Sequence, residues 1–303
     1  NTITGLSSTG TGGAVTGISN SAPATAHTIG ANTINTLSST STTGTVAGIS
    51  SAASATISGN VIHTLTGTVS SSGATNGIMI SGGTAHTVSK NKIYNIQSTG
   101  AFTTTPGVNG IVFSGSTASV TANVINNIVG DLKAPNANST DAIRGFSVVA
   151  TGTTSNYNFY YNTLFMNASS VGASFGSSGV FHTASTTSTT STMTLRNNII
   201  VNTSSRAGGA SVTTAAFRRS SGAANTLNNY GSTSNNNLCY AGTPGPQNLI
   251  LDDSNNGQPQ TIAAYKVGVF TSGTIAPRDS ASISENPPFL STVGSNANFL
   301  HIN

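Results

Sequence analysis

The chain has 303 residues, of which only 5% are charged, ten basic against six acidic for a formal net charge of +4. Arg218-Arg219 is its one adjacent basic pair, so the clustered footprint of a nucleic-acid binder is absent. No apolar run reaches the length of a membrane-spanning helix, and membrane insertion is not expected. Disorder combines low hydrophobicity with high net charge, whereas 36% of these residues are apolar and Ile, Val and Leu recur at regular intervals.

The recurring unit is Asn-x-Ile/Leu, first met as Asn1-Thr2-Ile3 and repeated from Asn32, Asn60, Asn91 and Asn123, with weaker copies from Asn162, Asn198 and Asn236. Three residues before an anchor sits Ile29, Ile57, Val88 or Val120, and five after it Leu6, Leu37, Leu65, Ile96 or Ile128. Between anchors lies a Gly-apolar pair: Gly17-Ile18, Gly48-Ile49, Gly77-Ile78, Gly110-Ile111, Gly145-Phe146 and Gly179-Val180, with Ala216-Phe217 in seventh place. Each repeat thus holds three short apolar runs, which fits a solenoid better than a four-stranded propeller blade.

Stacked coils superpose identical turns about 4.8 Å apart. Asn tolerates the left-handed backbone that a sharp turn requires, its amides can pair along the column as a ladder, and Gly offers a second turn. The expected fold is therefore an all-β, right-handed parallel β-helix of about eight coils with three short strands each. It occupies residues 1–240, and an irregular C-terminal segment, 241–303, packs on or closes the last coils. The anchors Asn1, Asn32, Asn60, Asn91, Asn123, Asn162, Asn198 and Asn236 are expected to form one structural column. Thr261 to Lys266 is read as a short helical turn.

The Asn-x-Ile coils, the strand from Asn236 to Tyr240, and the closing Asn286-Pro287-Pro288-Phe289-Leu290 and Asn298-Phe299-Leu300-His301-Ile302 segments resemble a known group. They are similar to the pectin-lyase-like β-helix regions of large secreted bacterial cell-surface proteins, many exported by the type IX route. That resemblance implies the fold, secretion and a surface location. Its motifs specify no activity.

Polysaccharide-cleaving enzymes on such a fold need paired carboxylates, one protonated and one ionised, or a Ca²⁺ held by several acids. The six acids are Asp131, Asp141, Asp252, Asp253, Asp279 and Glu285, and none is expected on a strand of the regular coils. Asp252-Asp253 resembles an adjacent aspartate pair of polygalacturonases but reads as a solvated turn. The long connection from Gly130 to Arg144 is the expected binding loop, with Asp131, Lys133, Asp141 and Arg144 as its candidates, because function sits on loops of rigid scaffolds. His182, Arg196 and Arg218 form the best basic grouping, and His27 and His86 occupy equivalent places in two coils. Cys239 is the single cysteine and is expected to be buried. No catalytic residue, metal or cofactor is assigned.

The functional expectation is a non-catalytic extracellular structural or adhesive surface module that assembles end to end into a fibre. The alternative is a polysaccharide-binding or polysaccharide-cleaving lyase or glycosidase. Expected partners are copies of the chain stacked along its axis, neighbouring domains of a longer chain, and surface glycans.

Overall fold

The computed structural model describes residues 1–21, 26–103, 106–209, 211–220, 227–253, 257–270 and 273–303. They form a right-handed parallel β-solenoid of about seven turns rather than eight. Three parallel sheets make its walls. The third coil shows the plan: Val61–Gly67 leaves the Asn anchor, Thr75–Ile80 carries the glycine, and Ala85–Ser89 returns to the next anchor. We call these walls the Asn sheet, the Gly sheet and the third sheet.

Alternation along each strand sends every second side chain inward. On the Asn sheet, Ile34 stacks on Ile62, Ile93, Val129, Leu164, Ile200 and finally Cys239. On the Gly sheet the inward column runs from Ile18 through Ile49, Ile78, Ile111 and Phe146 to Val180, Phe217 and Leu251. Burying one such side chain contributes about 1.5–3 kcal/mol. The lone cysteine thus serves as a small core residue, and burial pushes its thiol far above the ordinary range.

The asparagine column exists, with two changes of membership. It runs Asn1, Asn32, Asn60, Asn91, Asn127, Asn162, Asn198, Asn237. At the central rungs each side chain donates to the next Oδ1 at about 2.9 Å, and the backbone N–H donates to the same oxygen. The Nδ2 of Asn91 also reaches Ile57 O at 2.9 Å, so the amide closes the corner behind it. Asn123 instead faces outward from the third sheet, where it accepts from Asn158. Asn236 sits one residue too early.

The physical reason lies in the turn. The left-handed residue is the one before each ladder member: Ala31, Lys90, Asn126, Tyr161, Asn197 and Asn236, with φ between 53° and 58°, and Gly59 at 65°. Asparagine therefore serves here as a buried amide and not as the turn residue. The glycines of the Gly sheet are not turns either, since their φ values are negative. A Cβ on Gly110 would lie 2.5 Å from both Gly145 O and Val129 Cγ1. Glycine lets the two walls close on each other.

The coils extend past Tyr240, because Asn248–Asp252 pairs with Thr214–Arg219 as a last rung of the Gly sheet. A short helix, Ile262–Lys266, is capped by Thr261 and buries Tyr265. Then the end of the ladder is closed. Ser282 Oγ accepts from Asn237 N at 2.9 Å, Asp279 Oδ1 accepts from Asn237 Nδ2 at 3.0 Å, and Ile283 N donates to Asn237 O. The buried Asp279 carboxylate also accepts from Tyr230, Tyr265 and Ser282, so four neutral donors satisfy it.

Beyond the cap, residues 284–303 fold back as a strap over the outer face of the Asn sheet. Phe289 pairs with Ile302, and Phe299, Leu300 and Phe289 pack on Tyr94, Ile128, Phe165 and Tyr240. Gly130 admits the strap: a Cβ there would meet the Phe299 ring at 2.8 Å. Lys92 completes the seat, donating to Asn296 O at 3.0 Å with its ammonium near the Tyr94 and Phe299 rings.

Candidate functional site

The expected binding loop is not a loop. Residues 128–148 are largely strand, in three pieces: Ile128–Gly130, Leu132–Lys133 and Ser139–Val148. They belong to two different walls, so the four candidates separate into two pairs. Asp131 holds Lys133 at 2.8 Å on the outside of the Asn sheet, and Lys133 also donates to Asn95 at 3.1 Å. Beside this pair the His63 and Tyr94 rings stack 4.8 Å apart, under the tip of the strap at Val293 to Ser295.

Asp141 and Arg144 lie on the outer side of the Gly sheet, both buried. Register places Arg144 next to Ser178, and Phe181 next to Arg218, which is itself next to Asp252. Acids therefore do sit on strands of this solenoid, contrary to the sequence reading. Arg144 Nε is 2.7 Å from Asp141 Oδ2, and Arg218 contacts Asp252 Oδ2 at 2.8 Å and Asp141 Oδ1 at 3.6 Å. Ser178 bridges Asp141 and Arg218, Thr213 bridges Arg218 and Asp252, and the Arg144 guanidinium lies 3.3 Å from the centre of the Phe181 ring.

Burial alone would raise the Asp141 carboxyl. The adjacent Arg144 and Arg218 guanidiniums, with hydrogen bonds from Ser178 and Arg144, outweigh it and hold the group below the usual carboxylate range. Asp141 is thus fixed as an acceptor. Asp253, next to Asp252 in sequence, behaves oppositely. Burial and the neighbouring Asp252 charge push it up, Arg219 opposes, and the result is about 6. Its Oδ2 has no hydrogen-bond partner among the described residues.

The basic grouping is also redrawn. His182 pairs in register with Arg219, not Arg218, and both are fully buried inside the solenoid. Arg219 lies 2.7 Å from His182 Nδ1 and donates to Asn229 Oδ1, while His182 Nε2 faces Ser191 O at 2.8 Å. Burial and the Arg219 charge keep His182 neutral, with Nε2–H donating. His86 is likewise buried, between Ala55 and Ala122 in its column, with the Gly82 and Gly83 backbone beside its ring.

Arg196 belongs elsewhere. It lies where the third sheet turns into the Asn sheet, and with Tyr160, Tyr161 and Asn197 it lines an open recess of about 240 Å³. Tyr161 is 61% exposed there, with its backbone in the left-handed region. A bulky residue is rare in that conformation, which costs about 1–2 kcal/mol for a side chain bearing a Cβ. The sequence reading missed this corner. Its signal was the Tyr160-Tyr161 pair immediately before a ladder asparagine, followed one coil later by Arg196-Asn197 before the next.

Comparison with protein-family models, curated proteins and solved structures finds no match to this chain. The parallel solenoid rests on the pairing of its strands in three sheets. No group of three or more metal-ligating side chains occurs among the described residues, and no helix among them is long and apolar enough to cross a membrane.

Proposed function

We propose that this chain is a non-catalytic extracellular module of structural and adhesive character, of the pectin-lyase-like kind found in large secreted bacterial surface proteins. One observation carries the proposal. The charges of the Gly sheet, where an enzyme would align its groups on successive rungs, are spent on one another. Asp141, Arg144, Arg218 and Asp252 form a closed network. A glycosidase needs one carboxyl able to give a proton and another ionised across the bond to be cut, and Asp141 is held ionised by two guanidiniums. A surface of hydroxyls and amides around a rigid apolar core supports the same reading.

The cleaving alternative has one observation in its favour, the raised Asp253 beside Asp252. Adjacent residues of a strand point to opposite sides, and the partners agree: Asp252 meets Arg218 on the outer face, Asp253 the field of the buried Arg219. The two carboxyls therefore do not share a substrate-facing side. A degradation screen on acidic and neutral polysaccharides tests the proposal. No cleavage is expected; cleavage abolished by Asp141→Asn or Asp253→Asn, with the fold intact by circular dichroism, would overturn it.

A further inference from the structure

Where the third sheet turns into the Asn sheet, successive coils present two outward rows of side chains. Ser89, Ile125, Tyr160 and Arg196 are in register in the first. Lys90, Asn126, Tyr161 and Asn197 form the second, all left-handed, and hydrogen bonds such as Asn126 N to Tyr160 O and Tyr161 N to Arg196 O hold each to the next coil. Lys90, Asn126, Tyr161 and Arg196 are exposed. None of the six acidic residues lies on either row, and neither Lys90 nor Arg196 has an ion-pair partner among the described residues.

We infer that this corner is a binding strip for a carboxylate-bearing oligosaccharide, centred on the Tyr160–Tyr161–Arg196–Asn197 recess. The left-handed corner place takes Ala31, Gly59, Lys90, Asn126, Asn197 or Asn236 in other coils, so the fold does not ask for a ring there. The exposed Tyr161 ring offers an apolar face with a polar tip, which suits the C–H face and rim hydroxyls of a pyranose. Arg196 presents the planar fork that matches a carboxylate. Asn126 and Asn197 offer donors and acceptors to sugar hydroxyls.

At about 4.8 Å per coil, Lys90 and Arg196 lie roughly 14 Å apart along the axis, a span suited to a short acidic glycan with a charge at intervals. Nucleic acid carries a charge at every nucleotide and is held by many cations together; two cations over three coil spacings do not match it.

This site rests on the adhesive reading and supplies its contact. Titration calorimetry of the whole chain with uronate tetrasaccharides (from hyaluronan, alginate and polygalacturonate), against uncharged chitotetraose, tests it. At least one uronate should bind about tenfold or more tightly than chitotetraose. Tyr161→Asn, a residue the left-handed place accepts, should weaken that binding about tenfold without lowering the thermal midpoint, and Arg196→Gln should erase the preference for acid. No binding to any uronate, a preference for chitotetraose, or unchanged binding by Tyr161→Asn would overturn the site. Uronate cleavage lost on Asp141→Asn would sink the non-catalytic reading and leave the site standing. Adhesion to acidic glycan surfaces that survives both corner substitutions would sink the site alone.

Discussion

A single buried amide does three jobs in each coil. Asn127 donates its backbone and side-chain N–H to Asn162 Oδ1, donates to Val88 O, and accepts two hydrogen bonds from Asn91. Replacing it leaves several buried groups unpaired, each costing about 1–3 kcal/mol. Asn127→Ala is therefore expected to destabilise by roughly 3 kcal/mol or more, read by chemical denaturation, whereas the half-exposed Asn123→Ala should cost under about 1 kcal/mol. Equal losses would restore Asn123 to the column. The two asparagines are hard to separate in the sequence because each is followed, two residues on, by an apolar side chain. What distinguishes them is the residue before: Asn126 accepts the left-handed turn that precedes every rung, and Ala122 lies inward on a strand. At the far end, Asn236 took the place of Asn237 because the expected partner at plus two was a leucine, and the true inward residue is Cys239.

At the scale of elements, the walls were legible and their coverings were not. Period-two alternation and the recurring glycine are local signals, so the three runs of each coil could be read directly. The ion-pair network joins Asp141 to Asp252 across intervening coils, and no local pattern announces such a meeting. The strap is a similar case. Its Phe289 and Phe299 were visible, but their partners are outward residues of the Asn sheet that break the hydroxyl-rich rule: Tyr94, Ile128, Phe165 and Tyr240. Phe299 is fully buried at the centre of this contact. Phe299→Ala is expected to cost about 3 kcal/mol and to make the strap the first site of limited proteolysis. Cleavage that begins in the coils instead would show that the strap does not depend on this ring.

At the scale of the whole molecule, acid should weaken the fold in stages. His86 and His182 are both pushed below their ordinary value of 6.5, the first by burial, the second by burial and Arg219. The unfolded chain then takes up these protons before the native one does, so stability is full above about pH 6.5 and falls as the pH drops through it. Asp253 acts in the other direction. Its native value of about 6 exceeds the ordinary 3.8, so between those values the native state binds the proton first and gains stability as pH falls. Below pH 3.8, loss of the Asp141 charge removes a further contribution. His86→Leu should flatten the fall in stability below pH 6.5, because it removes a group whose folded pKa lies below its unfolded one. An unchanged slope in urea midpoints measured from pH 7 to 5 would show that His86 is not a neutral core group. The same cap that satisfies Asn237 also limits association through that end of the ladder. Ser282 and Ile283 take the bonds that a further coil would take, so on this reading filaments should be absent from electron micrographs.

The strap also decides how the molecule meets a mechanical load. Its two arms lie side by side, with Phe289 paired to Ile302 over the region of Phe165. Its tip reaches back to Tyr94. Tension applied near Ile302 therefore does not enter through the last coil, where unwinding would proceed turn by turn. It enters over Phe165, two rungs before the last strand of the Asn sheet, and must first shear a buried aromatic contact along the axis. The capped end remains slack until that contact yields, which makes the strap the mechanical fuse of the rod.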